Sequence, residues 1–156
     1  MTNSIDATRL QVENLLGGMA QWEMNGKLPA FRVQPDAIHT ACTKLREAGF
    51  DYLLLMTATD YPAEKRFELV YVLTNFADAQ EVALVTNVDR ESPQIKTVSD
   101  IWQTADWHER EVYDMYGVRF ENHPDLRRIL LDDTWDGYPL RKDYTDTVHD
   151  VVKRPY

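Results

Sequence analysis

Three runs rich in Val, Leu, Tyr and Thr follow one another with almost no chain between them, at residues 52–59, 67–74 and 81–88. The connections, around Pro62-Ala63-Glu64 and Ala77-Asp78, are short and polar. A parallel crossover needs about a dozen residues or more, so these runs must be antiparallel neighbours in one sheet. Such a sheet has to bury one face, and the segments before it offer helices to cover it. Ala7, Val12, Leu15 and Leu16 recur at helical spacing, with Ser4 as the expected cap and Gly17-Gly18 as the stop. Pro35 opens a second helix carrying Ala37, Ile38, Ala41, Cys42, Leu45 and Ala48, which Gly49 ends. Between the two helices, residues 21–24 and 30–34 flank Asn25-Gly26, a hairpin signal, and Pro29 moves that pair toward a sheet edge.

After Ser92-Pro93 the pattern turns helical again over residues 98–116, with Ser99 as the expected cap and Gly117 as the stop. The expected fold is therefore α+β: an α-β-β-α-β-β-β core, mainly antiparallel, with helices on one face of the sheet. A C-terminal helix and an irregular segment follow. Residues 1–144 read as a single domain, and residues 145–156 as a polar tail.

The chain carries 17 basic and 26 acidic residues, a net charge of −9. That balance disfavours a phosphate-backbone ligand, and no polybasic cluster is present to hold anionic lipid. The longest apolar runs, such as residues 52–56, are far below the roughly 20 residues that span a bilayer. Residues 1–6 show no basic and apolar leader, so the expected compartment is the cytoplasm. A single cysteine, Cys42, sits on the apolar stripe of the second helix and reads as a core residue.

The four histidines, His39, His108, His123 and His149, form no metal-ligand pair at helical spacing. Residues 132–143 carry Asp132, Asp136, Gly137 and Asp143 at calcium-loop spacing, but Thr134 and Pro139 break the pattern. Glu109 and Glu111 stand two apart, about 200° around a helix, so they cannot share a substrate. No phosphate-binding loop, nucleophile elbow or dinucleotide fingerprint occurs.

What stands out is residues 107–144, where charged residues interleave with Trp107, Tyr113, Tyr116, Phe120, Trp135 and Tyr138. Composition leaves two readings open. One is a solvated helix face, with Arg110 and Asp114 as a weak i, i+4 pair. The other is a protein–protein interface, where arginine and aromatics are enriched.

The string Glu109-Arg110-Glu111-Val112-Tyr113-Asp114-Met115-Tyr116-Gly117 continues through His123-Pro124-Asp125-Leu126-Arg127-Arg128-Ile129-Leu130. It resembles the signature of the 30-kDa-type (C-type) component of proton-translocating NADH:quinone oxidoreductase, respiratory complex I. Trp135, Gly137 and Pro139-Leu140-Arg141-Lys142-Asp143-Tyr144 resemble the family's C-terminal block. The resemblance implies a non-catalytic, cofactor-free subunit of the peripheral arm, on the cytoplasmic side of the cell membrane. Its implied partners are the large D-type subunit and the iron–sulfur subunits, with FMN and iron–sulfur clusters held by partner chains. Electron transfer from NADH to quinone with proton translocation would belong to the assembly. The implied partner-facing residues are Glu109, Arg110, Glu111, Asp114, His123, Arg127, Arg128, Pro139, Leu140, Arg141, Lys142 and Asp143. Related machines use similar subunits: photosynthetic NADH-dehydrogenase-like complexes, deazaflavin-linked dehydrogenases and energy-converting hydrogenases. A free-standing enzyme and an assembly factor are the rival readings from other classes.

Overall fold

The computed structural model describes residues 2–25 and 28–146. Helix α1 (Thr2–Leu16) leads through a short turn into β1 (Ala20–Asn25) and β2 (Leu28–Val33), an antiparallel hairpin. A 3-10 turn at Pro35–Ala37 opens α2 (Ile38–Glu47). The meander β3 (Tyr52–Tyr61), β4 (Arg66–Asn75) and β5 (Gln80–Asp89) follows, with both connections antiparallel. Then come β6 (Gln94–Lys96), α3 (Gln103–Tyr116) and β7 (Arg119–Glu121).

The main sheet runs β1-β2-β5-β4-β3. Its one parallel junction joins β2 to β5 over Ala30–Ala83, Phe31–Leu84 and Arg32–Val85. Pro29 lies just outside that parallel ladder and faces Met24 in the antiparallel one with the edge strand β1. The expected mainly antiparallel α+β architecture is the one observed.

Alternation along the strands sorts the two faces. Phe31, Leu69, Tyr71, Leu73 and Leu84 point to one side and pack with Val12, Leu16, Ile38, Ala41, Cys42, Leu45, Ala105 and Val112 from all three helices. On the opposite face Ala30, Val72, Ala83 and Val85 form a small apolar island. Beside it runs a line of paired charges, Glu23–Arg32–Glu68–Arg66. In β3 the register shifts between Leu53 and Leu55, so Leu54 and Leu55 both stand toward solvent.

Two sequence expectations shift, and part of a third lies outside the described residues. The first helix begins at Thr2, so Ser4 lies within it rather than capping it. The turn residue Gly26 lies outside the described residues, as do His149 and residues 147–156 of the expected tail. The third helix begins at Gln103, not at Val98. Residues 98–102 turn instead, with the Ile101 and Trp102 N–H groups both donating to the Val98 carbonyl. The Val98 N–H donates to the carboxylate of Glu109, within α3, which ties this turn to the helix it precedes.

β6 and β7 pair in parallel, Ile95 opposite Phe120, with α3 as their crossover. Ile95 and Phe120 both enter the core. That pairing presses α3 onto the end of the sheet, and the described residues after β7 pack against the helix.

Candidate functional site

Helix α3 presents a core stripe of Ala105, Glu109 and Val112, spaced four and three apart, with Glu109 standing where an apolar residue is expected. Its side chain is fully buried. One oxygen accepts the Thr97 hydroxyl at 2.5 Å and the other the Val98 N–H at 2.7 Å. Burial pushes the Glu109 carboxyl up to about 7, against the pull of those two donors and with the Asp100 and Asp106 charges adding to the rise. Glu111 is exposed, so the two glutamates diverge as the helical spacing requires.

The segment from His123 to Asp146, here called the arm, is almost without regular structure and is fixed by two buried carboxylates. The first is Asp114 on α3. It accepts the Arg128 guanidinium at 2.6 Å and the backbone N–H groups of Ile129, Leu130 and Leu131 at 3.0, 2.7 and 3.0 Å. Burial alone would raise the Asp114 carboxyl. The Leu131 N–H, Arg128 and the other two amides overcome that and hold it below the ordinary carboxylate range. Arg128 then reaches on to the carbonyls of Trp135 and Gly137. The expected Arg110–Asp114 pair is therefore not formed. Arg110 is 3.9 Å from Asp106, lies over the Trp107 ring and approaches the Arg127 and Arg128 carbonyls.

The second carboxylate is Asp60, at the end of β3 and only 2% exposed. Arg90 grips it with two nitrogens at 2.7 and 3.0 Å, and the Lys142 N–H donates to it at 2.8 Å. Arg90 also holds Asp143 at 2.6 Å. The Arg90 hydrogen bonds dominate and keep Asp60 ionised well down into acid. Neither Asp60 nor Arg90 stands out in the sequence. The signal for Asp60 is its place on the inward register of β3, two residues after buried Ala58.

Between these latches Gly117 ends α3 at φ 77°. A Cβ there would lie 2.6 Å from the Tyr138 ring and 2.9 Å from Arg141. Arg141 donates to the Tyr116 carbonyl at 2.7 Å and stacks between Phe67 and Tyr138, so of the basic pair it is the one that braces the domain. The Lys142 side chain is exposed. His123 has a fully buried ring, Arg127 is exposed and paired with Asp125, and Pro139 is half-buried. Asp132 turns onto Thr134 while Asp143 goes to Arg90, so the two ends of the calcium-like spacing have different partners.

Most of the signature is thus turned inward to hold the arm. Among the charged side chains that the same elements turn outward, such as Glu111, Arg127 and Lys142, stand three large apolar ones: Trp107, Leu130 and Leu140 are 62%, 63% and 52% exposed. The Leu130 N–H is held by Asp114 and the Leu140 N–H by the Met115 carbonyl, so both anchors sit on fixed backbone. Among the described residues no group of three or more His, Cys, Asp or Glu side chains could hold a metal ion. No helix among them is long and apolar enough to cross a membrane.

The family described as the 30 Kd subunit of respiratory-chain NADH dehydrogenase matches residues 31–149. The C-type component of the NADH-quinone oxidoreductase of Chloroherpeton thalassium is 40% identical over 156 positions, 96% of this chain but 65% of that protein. The chain therefore spans just under two thirds of that relative's length. The solved trypsin-resistant fragment (1–134) of Nqo5 superposes with a TM-score of 0.68 at 30% identity, over 76% of this chain and 99% of that one. A chain of the membrane-bound sulfane sulfur reductase, an archaeal respiratory membrane complex, superposes with a TM-score of 0.79 at 28% identity, over 97% and 94%.

Proposed function

This chain belongs to the family of the 30 Kd subunit of respiratory-chain NADH dehydrogenase, and from that premise we propose that it is a non-catalytic, cofactor-free subunit of the peripheral arm of a membrane-bound NADH:quinone oxidoreductase. The complex couples electron transfer from NADH to quinone with ion translocation. This subunit docks on the cytoplasmic side against the large D-type subunit and the iron–sulfur subunits, which hold the clusters, while FMN sits in another partner chain.

One observation carries the docking role: among the exposed side chains of α3 and the arm, Trp107, Leu130 and Leu140 are large and apolar and stand on fixed backbone. Large apolar side chains held in fixed positions are what anchor an interface, because little entropy is lost when they bury. Arginines braced on carbonyls and carboxylates hold those positions.

The test is Leu140→Asp, alone and with Trp107→Ala, in the full chain. The melting temperature of the purified chain should hardly change, since both side chains already face water. Incorporation into the native membrane complex should fall, and quinone-reductase activity of the membranes should fall in proportion to assembled complex. Normal assembly with both changes would remove this face as the docking site. An assembled but inactive complex would assign the chain a part in the chemistry. The neighbour from a sulfane sulfur reductase favours a second reading, a subunit of a related respiratory complex with another electron acceptor. Which acceptor the purified complex reduces separates the two.

A further inference from the structure

The buried charge of Glu109 is not used by either latch. Its position has three features that belong together. First, it lacks a strong cation. Among the described residues no lysine or arginine lies within ion-pair distance, and its one basic neighbour is the fully buried ring of His123, 3.7 Å away. Second, both ring nitrogens of His123 already have partners. The Asp125 N–H donates to Nδ1 at 3.0 Å, which leaves the ring proton on Nε2, facing the Asp106 carbonyl at 3.3 Å. Third, Glu109 has a route to the surface. Its oxygen is 2.5 Å from the Thr97 hydroxyl, which is 2.8 Å from the hydroxyl of half-buried Ser99.

We propose that Glu109 is an internal proton-binding site of this chain, filled and emptied through the hydroxyls of Thr97 and Ser99, and that its proton keeps the turn at His123–Asp125 closed.

The remaining groups around Glu109 reinforce this. From its own helix comes Asp106, whose Oδ1 is buried and 3.7 Å from the same His123 nitrogen. From the preceding segment comes Asp100, which is paired with His39 of α2. Both are negative and disfavour a second carboxylate nearby. From α2 and β4 come Cys42 and Tyr71, both fully buried and both pushed up by that burial, so each keeps its proton and supplies no charge. Beyond the Thr97 and Val98 donors, an ionised Glu109 therefore has one source of positive charge, His123. For the ring to become cationic it must take a proton on Nδ1, which already accepts the Asp125 N–H. Two donors would then face each other, and the turn must open.

Release balances without any other reactant. The Glu109 proton passes to the Thr97 oxygen, the Thr97 hydroxyl proton to the Ser99 oxygen, and the Ser99 hydroxyl proton to water. Reversal of the chain reloads the site.

The experiment is carbon-13 NMR of the side-chain carboxyls in the full chain from about pH 5 to about pH 9, where exposed glutamates have already titrated. Through-bond assignment on the native sequence makes the result independent of any variant folding. A Glu109 carboxyl midpoint near 7 is expected, with the Asp125 amide shifting at the same midpoint. Thr97→Val should raise the midpoint by removing a donor to the anion. Ser99→Ala should leave the midpoint in place but slow proton exchange, broadening the Glu109 line at mid-titration. A Glu109 carboxyl that titrates in the ordinary range, or an Asp125 amide that ignores the titration, overturns the site. An exchange rate unchanged by Ser99→Ala overturns the route.

Discussion

The sheet with its helices and the arm are held by different physics. In the first, large apolar side chains fill one continuous core, and the favourable term grows with area and has no direction. In the arm, hardly an apolar residue is buried, yet the backbone is fixed by Asp114 and Asp60, each surrounded by an arginine and backbone N–H groups. A core tolerates substitutions that keep volume and pattern. A carboxylate latch does not, because removing one partner leaves the others buried and unpaired. The arm is therefore the more brittle of the two, although it is the more exposed.

The sharpest way to break the comparison is Asp114→Ala. It strands the Arg128 guanidinium and three backbone N–H groups at once, and a loss of roughly 3–5 kcal/mol is expected. Amide exchange should show where that loss falls. Protection at Leu130 and Leu131 should collapse, while the amides of β4 and β5 stay protected. Equal loss in both regions would mean that arm and sheet are one cooperative unit.

Gly117→Val attacks the hinge between the regions. A side chain there meets a left-handed backbone, which costs about 1–2 kcal/mol, and collides with the Tyr138 ring, an overpacking cost of about 1–3 kcal/mol. Urea denaturation should show a fall of a few kcal/mol, with the Tyr138 environment altered. A fall of only about 1–2 kcal/mol would mean that Tyr138 swings away freely and is no part of the arm's seat.

How much of this was legible follows from how local each cause is. The meander β3–β5 was, because alternation and short polar turns lie within a few residues of one another. The stop at Gly117 was, because a glycine after a helical stripe acts on its own backbone. The start of α3 was not, since the turn before it is tied to Glu109, eleven residues on from Val98. The parallel junction of β2 with β5 has no local signature. The arm's second latch joins Asp60 to an arginine 30 residues away and to an amide 82 residues away. The signature at residues 109–130 covers the residues that seat the arm, but sequence order cannot say which of its charges turn inward. The inward register of Asp60 and the core-stripe position of Glu109 are the two cues that could have done so.

Acidity separates the carboxylates by sign. Asp60 and Asp114 are held below the ordinary value of about 3.9, so their contribution is complete above it and is lost as pH falls through the folded values. Glu109 is raised to about 7 from an ordinary 4.5, so its contribution is complete below the ordinary value and is lost as pH rises to about 7. Thermal melts across pH should therefore peak in mild acid, with the arm's amides the first to exchange at the acid edge. A melting temperature that climbs steadily from about pH 5 to about pH 8 would contradict the sign assigned to Glu109.

The smallest effect separates side chain from backbone at a single residue. Lys142 closes the Asp60 latch through its N–H, at 2.8 Å, while its ammonium faces solvent 5.6 Å from the Tyr61 ring. Removing an exposed side chain of this kind costs less than about 0.5 kcal/mol, so Lys142→Ala should leave both the melting curve and the arm's exchange protection unchanged. Lys142→Pro leaves the position uncharged in the same way but also removes the donor. Asp60 then loses its hydrogen bond to the arm's backbone, although Arg90 still holds it, and a cost of about 1–3 kcal/mol confined to the arm is expected. The pair of variants isolates one hydrogen bond from one charge. If alanine were as damaging as proline, the ammonium would be the operative group, and the arm would be held at this end by surface charge rather than by its backbone.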